Sequence, residues 1–315
     1  MNQPRATALQ MCPFSARLEA GLAARFEVVR WFELSGAGRA AWLDRSAPLV
    51  RVVVSGGHIG CSNALIEALP SLGVVAIHGV GVDKVDLDFA RRRGVRVTTT
   101  PGVLTEDVAD LAVGLIISLL RGIPAADAYV RAGQWLKGER PLARTVSGRR
   151  FGIVGLGHIG SAIAARLAAF GSVAYTSTAP KAVSYAFHAE LIELARASDV
   201  LVIACPANAS THHLIGTDVL EALGQDGYLV NIARGSIIDE TALLAALGAG
   251  RLAGAALDVF EDEPRVPQAL YTRGDVVLTP HIGSATVETR NRMADLVLEN
   301  LDAFIAGKPF PSAVG

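Results

Sequence analysis

Along most of the chain, short runs of β-branched residues alternate with Ala- and Leu-rich stretches, and breaks between them are brief. The runs predict strands at Val50–Val54, Val74–His78, Val95–Thr98, Arg150–Val154, Val173–Thr176, Val200–Ala204, Tyr228–Ile232, Gly254–Leu257 and Val276–Leu278. Between them, Ser62–Leu69, Ser161–Phe170, Leu191–Ala197 and Glu240–Gly248 read as helices. Strand–helix alternation implies parallel βαβ units and therefore an open α/β sheet covered by helices.

The pattern also divides the chain. Val54-Ser55-Gly56-Gly57-His58-Ile59-Gly60 echoes Val154-Gly155-Leu156-Gly157-His158-Ile159-Gly160, each expected to follow a strand and open a helix. The echo points to two related α/β domains rather than one large sheet, or else to the chance likeness of two Gly-rich turns. A helix from about Glu106 to Arg121 separates the halves, with Thr105-Glu106-Asp107 supplying the acceptor and acids that suit a helix N-terminus. A last helix, roughly Val287–Ala306, follows the second half.

Composition narrows the class. With 51% hydrophobic and 19% charged residues, the 315-residue chain can bury two ordinary cores and is not disordered. Lys plus Arg is 29 against 30 for Asp plus Glu, a balance that argues against a nucleic-acid partner but permits a local basic pocket. Cys12, Cys61 and Cys205 form no C-x-x-C pair, so neither a disulfide framework nor a structural zinc is expected. Met1–Phe14 has no sustained apolar segment, and Leu111–Leu120 falls short of the roughly 20 residues that cross a bilayer. No membrane association is expected, and the chain reads as cytoplasmic.

The strand Arg150–Val154 runs directly into Gly155-Leu156-Gly157-His158-Ile159-Gly160 and then into a helical pattern. In such a turn Gly155 makes the bend, Gly157 lets backbone approach a pyrophosphate, and Gly160 permits close helix–strand packing. The anion would sit on the helix N-terminus. About 20 residues on, where an NAD enzyme carries an acid for the ribose 2′-hydroxyl, the chain reads Tyr175-Thr176-Ser177-Thr178-Ala179-Pro180-Lys181. Ser177, Thr178 and Lys181 suit a 2′-phosphate, so NADP(H) is the preferred reading, with NAD(H) possible if these groups merely face water.

Three later segments place chemistry at strand ends, where ligands bind in open α/β sheets. Asn231-Ile232-Ala233-Arg234-Gly235 ends on a guanidinium suited to a carboxylate. Asp258-Val259-Phe260-Glu261-Asp262-Glu263-Pro264 is an acidic loop, and Thr279-Pro280-His281-Ile282-Gly283-Ser284 carries a histidine. Each alone would more often be a surface group. Beside a dinucleotide site they form a working set: an arginine for the substrate, a histidine for the proton, and a carboxylate that orients the imidazole.

These motifs, in this order, resemble the D-isomer-specific 2-hydroxyacid dehydrogenases over nearly the whole chain, with glyoxylate/hydroxypyruvate and hydroxyphenylpyruvate reductases the nearest look. The resemblance implies two Rossmann-like domains, one flavodoxin-like and one dinucleotide-binding, with a cleft between them. It assigns residues 1–99 and 286–315 to the substrate-binding domain and 100–285 to the dinucleotide domain. Arg234 would bind the carboxylate and keto oxygen, His281 would be the acid/base, and Glu263 would pair with it. Asp258 would hold the nicotinamide carboxamide, and Thr105, Cys205, Pro206, Thr211, Ile232, Ala233 and Gly283 would join Gly155–Gly160 around the cofactor. Val54, Ser55 and Gly56, with His78, Gly79 and Val80, would receive the substrate carboxylate on backbone N–H groups, and Ser284 and Arg290 would add polar substrate contacts.

The same resemblance places Arg131, Gly133 and Trp135 in the arm of a homodimer. One departure stands out: NADP-using relatives often carry Ser-Arg or Asn-Arg at the second strand end, where this chain has Ser177-Thr178. The implied reaction is reduction of a small 2-oxo acid to the D-2-hydroxy acid. A dinucleotide-sensing corepressor on the same fold, or a reductase of 2-ketogluconate or hydroxyphenylpyruvate, is the alternative. Formate oxidation would call for glutamine at Glu263, and a methyltransferase leaves the Arg234 and His281 segments unexplained. No metal site is expected, because His212 and His213 are read as pointing apart on a helix.

Overall fold

A computed structural model describes residues 5–314. Residues 1–4 and 315, which begin the Met1–Phe14 reading and end the expected first domain, lie outside the described residues. The chain divides into two compact units, Met1–Leu104 with Thr286–Gly315, and Thr105–Ala285. The first unit runs on to Leu104 because Thr99–Thr100 still bonds into it: Thr100 N donates to Gly79 O at 2.8 Å and Thr99 N to Ser312 O at 3.2 Å.

In chain order the strands are β1 Thr7–Gln10, β2 Glu27–Arg30, β3 Val50–Gly56, β4 Val74–His78, β5 Arg96–Thr98, β6 Arg150–Val154 and β7 Ser172–Thr176. They continue as β8 Ala186–Phe187, β9 Val200–Ile203, β10 Tyr228–Asn231, β11 Gly254–Leu257, β12 Val276–Leu278 and β13 Ala313–Val314.

The first unit's sheet has the order β2-β1-β3-β4-β5-β13, parallel except for β13 against β5. Its first five strands follow the flavodoxin-like order, in which the switch point lies between β1 and β3. Strands β1 and β2 escape the sequence pattern because they are short, and β2 is an edge strand with exposed Glu27 and Arg30. One sheet face packs Ala8, Val52, Val54, Val74 and Ala76 against helices Ala16–Arg25 and Val287–Ile305, through Leu18, Leu22, Ala294, Val297 and Leu301. The last helix therefore belongs to the first unit. Its ion pairs to Arg17 and Arg25 lie at the rim and add little beside that apolar contact.

The second unit's sheet is parallel throughout, in the order β8-β7-β6-β9-β10-β11-β12. Counted within the unit this is the dinucleotide-binding order, reversing direction between β6 and β9, and the crevice at that reversal is where such sheets bind ligands. Helix Thr105–Arg121 covers the sheet with one buried stripe, Val108, Ala112, Leu115 and Leu119 among it. Its outer side carries Glu106 and Asp110, which share Arg166 at 2.6 and 2.7 Å. Among the described residues no single helix is long and apolar enough to cross a membrane; the pair Thr105–Arg121 and Ile123–Arg131 reaches that length only across a 60° bend.

Two expectations are corrected by the backbone. The fingerprint helix starts at His158 rather than Ser161, with Gly157 as its N-cap. The Val54–Gly60 echo does not open a helix where its counterpart does: residues 57–59 turn, and the helix begins at Asn63, capped by Ser62.

Candidate active site

At the β6–β9 reversal, Gly155 takes φ +94°, and a Cβ there would lie 2.6 Å from the Cα of Cys205. A Cβ on Gly160 would collide with the Gly155 carbonyl, whereas one on Gly157 would meet nothing within 4 Å. Two glycines thus close the turn against its neighbours, and the third leaves open space before the first N–H groups of helix His158–Leu167. That is the shape and polarity of a pyrophosphate cradle. Leu156 is buried beneath it, while His158 is exposed and Ile159 partly so.

The loop after β9 forms the other wall. Burial pushes the Cys205 thiol up to about 11, so it serves as packing rather than chemistry. Thr211 closes this loop, donating to Pro206 O at 2.9 Å and accepting from Asn208 N at 2.8 Å. In β7, Tyr175 is buried and its hydroxyl accepts from Lys181 N at 2.7 Å, which folds the segment after the strand back on itself. Ser177 Oγ donates to Ala179 O at 2.6 Å. Thr178 and the Lys181 side chain face outward, and no carboxylate occurs between Ser172 and Ala189.

The ends of β10, β11 and β12 carry the candidate reacting groups Arg234, Glu263 and His281. Fully buried Asn231 shapes the first: its amide donates to Arg234 O at 2.8 Å and accepts from Ala233 N at 3.0 Å, turning the chain so that Arg234 leaves the sheet. Gly235 has no room for a side chain because Phe260 and Glu261 backbone abut it. His281 Nδ1 lies 2.7 Å from Glu263 Oε2, and Glu263 Oε1 accepts from Phe260 N at 3.0 Å. Burial acts to raise the Glu263 carboxyl, but the hydrogen bond and charge of His281, the Phe260 N–H and the Arg234 charge outweigh it, leaving it below its ordinary range. An ionised Glu263 accepts the Nδ1 proton, which fixes the ring and directs proton exchange to Nε2.

His281 sits at φ +54°, a conformation that costs a non-glycine residue about 1–3 kcal/mol unless its surroundings impose it. Asp258 imposes it. Its backbone carbonyl accepts from His281 N at 2.8 Å, and its 1% exposed carboxylate accepts from Thr279 Oγ1, Ile282 N and Gly283 N at 2.7, 2.8 and 2.9 Å. The loop-pinning part of Asp258 and the turn-shaping part of Asn231 escape sequence reasoning; a polar residue at a strand end next to the reacting residue is the only trace either leaves.

The first unit gathers its own set at the ends of β1, β3 and β4. The register pairs Gly56 with His78, and Val54 with Gln10. Val54 and Ser55 are buried, and Val80 is partly exposed beyond Gly79. Arg290 Nη1 donates to His78 Nδ1 at 3.4 Å, while His78 Nε2 is buried without a partner among the described residues. Burial, with the Arg290 charge second, holds His78 down at about 4, so the ring is neutral. Burial also lowers Arg290, against which the nearby Cys12 acts only weakly. Cys12, which sequence reasoning treats only as a lone thiol, stands beside Gly56 here, held up by burial. Ser284 lies in the second unit and Arg290 in the first.

One further expectation is overturned. His212 and His213 lie on a turn, not a helix, because the next helix starts only at Thr217. His213 takes φ +51°, which brings neighbouring rings to the same side; they stack with centroids 4.0 Å apart.

Comparison with known proteins agrees with this construction. Residues 113–283 match the sequence model for the D-isomer specific 2-hydroxyacid dehydrogenase, NAD binding domain. Glyoxylate/hydroxypyruvate reductase A of Arabidopsis thaliana is 47% identical over 302 residues, 95% of this chain and 96% of that one. Hydroxyphenylpyruvate reductase of Plectranthus scutellarioides is 48% identical over 308 residues, 97% and 98% of the two. The crystal structure of an NADPH-dependent glyoxylate/hydroxypyruvate reductase from Sinorhizobium meliloti, in complex with NADP and malonate, superposes with a TM-score of 0.92 at 42% identity, covering 99% of this chain and 97% of that one. The chain is an enzyme of the D-isomer specific 2-hydroxyacid dehydrogenase family.

Proposed function

We propose that the protein reduces small 2-oxo acids, glyoxylate and hydroxypyruvate first among them, to D-2-hydroxy acids with NADPH, NADH being the second donor. The observation that carries this reading is the 2.7 Å pair of His281 and Glu263, on the same sheet edge as Arg234 and in the same unit as the Gly155–Gly160 turn. The second unit is the dinucleotide-binding domain and the first the substrate-binding domain.

When bound, the reduced nicotinamide supplies a hydride to the carbonyl carbon. Arg234 holds the carboxylate and polarises the keto oxygen. His281 gives that oxygen a proton from Nε2, and Glu263 stabilises the imidazolium until it does. The small residues after β3 and β4, Ser55, Gly56 and Gly79, offer backbone N–H groups to the carboxylate, and His78 and Arg290 face the rest of the substrate. Pyrophosphate falls to Gly155–Gly160; Thr178 and Lys181 meet the 2′-phosphate. The relatives named as glyoxylate, hydroxypyruvate and hydroxyphenylpyruvate reductases support the substrate class.

We further place the protein in the cytoplasm as a homodimer. Three buried free thiols support the first. The second rests on Trp135, Leu136 and Leu142, 69%, 95% and 100% exposed next to helix Ile123–Arg131. The test is loss of reduced-nicotinamide absorbance with NADPH and NADH on glyoxylate, hydroxypyruvate, pyruvate and hydroxyphenylpyruvate. His281→Ala should lower kcat by about 100-fold or more. Near-normal turnover in that variant would remove the acid/base assignment, and cofactor binding without turnover on any acid would favour a sensor.

A further inference from the structure

Outside the reacting groups, the second unit holds a cluster whose donors converge from two loops. His212 and His213 end the loop after β9, with stacked rings at an interplanar angle of 28°. Glu261 lies in the loop after β11 and places Oε1 2.7 Å from His213 Nε2. One ligand atom from each of the three residues lies within 4.8 Å of the other two. The Glu261 backbone is itself fixed, its N–H donating to Glu240 Oε1 at 2.9 Å. Glu240 and Asp262 add negative charge around the group.

We propose that His212, His213 and Glu261 bind a divalent transition-metal ion of the zinc class, with water completing its coordination. Two imidazole nitrogens and one carboxylate oxygen suit Zn²⁺, Co²⁺ or Ni²⁺, whereas Mg²⁺ and Ca²⁺ require more oxygen donors. The ion takes the place of the His213–Glu261 hydrogen bond. It then ties the loop of Cys205, Pro206 and Thr211 to the loop that carries Glu263, in place of the His213–Glu261 pair that links them here. The site is independent of the reductase reading, since none of its donors is assigned to the reaction.

The experiment is calorimetric titration of the metal-stripped full chain with ZnCl₂, alongside Co²⁺ titration followed by visible absorption. Wild type should take up one equivalent of Zn²⁺, raise its melting temperature on doing so, and develop a Co²⁺ ligand-field band. His213→Ala and the near-isosteric Glu261→Gln should each weaken Zn²⁺ binding at least about tenfold and lose the band. The Glu261→Gln variant carries the test should the alanine variant fold poorly, as checked by circular dichroism. Absence of saturable binding in wild type overturns the proposal. So does unchanged affinity in both variants, which would put the ion elsewhere, His281 and Glu263 included.

Discussion

Val54–Gly60 and Val154–Gly160 are spelled almost alike, and each follows a buried parallel strand, yet they fold differently. In the second segment Gly155 turns at φ +94°, and the helix begins three positions on, at His158. In the first, Ser55 holds the corresponding place. A serine does not readily take positive φ, so β3 stays extended through Gly56, and the chain then closes a tight turn in which Ile59 and Gly60 N–H both donate to Gly56 O. Gly60 itself takes φ +65° against the Lys84 carbonyl, where its counterpart Gly160 lies inside a helix. The glycine at 155, where the first segment has Ser55, separates a turn that opens a helix from one that does not.

The sharpest way to break this comparison is to remove that glycine's freedom. Gly155→Ala should weaken NADPH binding by about 100-fold, since the new Cβ adds left-handed strain to a backbone collision with Cys205. Gly56→Ala should leave the NADPH Kd within about threefold, because its Cβ would meet only the His58 ring, 2.9 Å away, and the more distant Cys12 sulfur. Equal effects in fluorescence titration would mean that the two turns share one role.

Acid should separate the units next. His78, held at about 4 in the folded chain, binds a proton more readily when unfolded. Its contribution is therefore fully present above its unfolded value near 6.5 and is lost as pH falls toward 4, by roughly 3 kcal/mol in all. Hydrogen exchange should show the first unit loosening across this window ahead of the second, and His78→Gln should flatten the dependence. Identical pH profiles for both units, or for both proteins, would contradict it. The smallest effect is expected at the cofactor's edge: Lys181→Ala should raise KM for NADPH about threefold and leave NADH unchanged, as suits an exposed charge. A matching loss with NADH would remove the 2′-phosphate assignment.

What sequence could and could not supply follows from the same physics. Strands such as β4, β6 and β11 are apolar along nearly their whole length because parallel strands are buried on both faces, and their bounds are legible to the residue. Strands β1 and β2 are not: β1 mixes Thr7 and Gln10 with Ala8 and Leu9, and β2 is charged at both ends. Arg234, Glu263 and His281 could be singled out because each ends or follows a strand, but their mutual distances depend on Asn231 and Asp258, whose hydrogen bonds have no sequence signature. The His212–His213 pair has no helical periodicity to read: in a helix adjacent side chains splay apart, whereas the turn here stacks the two rings. Cys12 looked inert because proximity to Gly56 is a property of sheet register.

The discontinuity of the first unit has a consequence during synthesis. On a ribosome, Thr105–Ala285 emerges as one unbroken stretch and can complete its sheet while translation continues. The earlier-made strands β1, β3 and β4 must wait for Val287–Ile305, until which Val52, Val54, Val74 and Ala76 lack the cover of Ala294, Val297 and Leu301. The half of the protein that is made first is thus the last to be finished, and a stalled or shortened nascent chain would expose a sticky sheet face beside a folded neighbour.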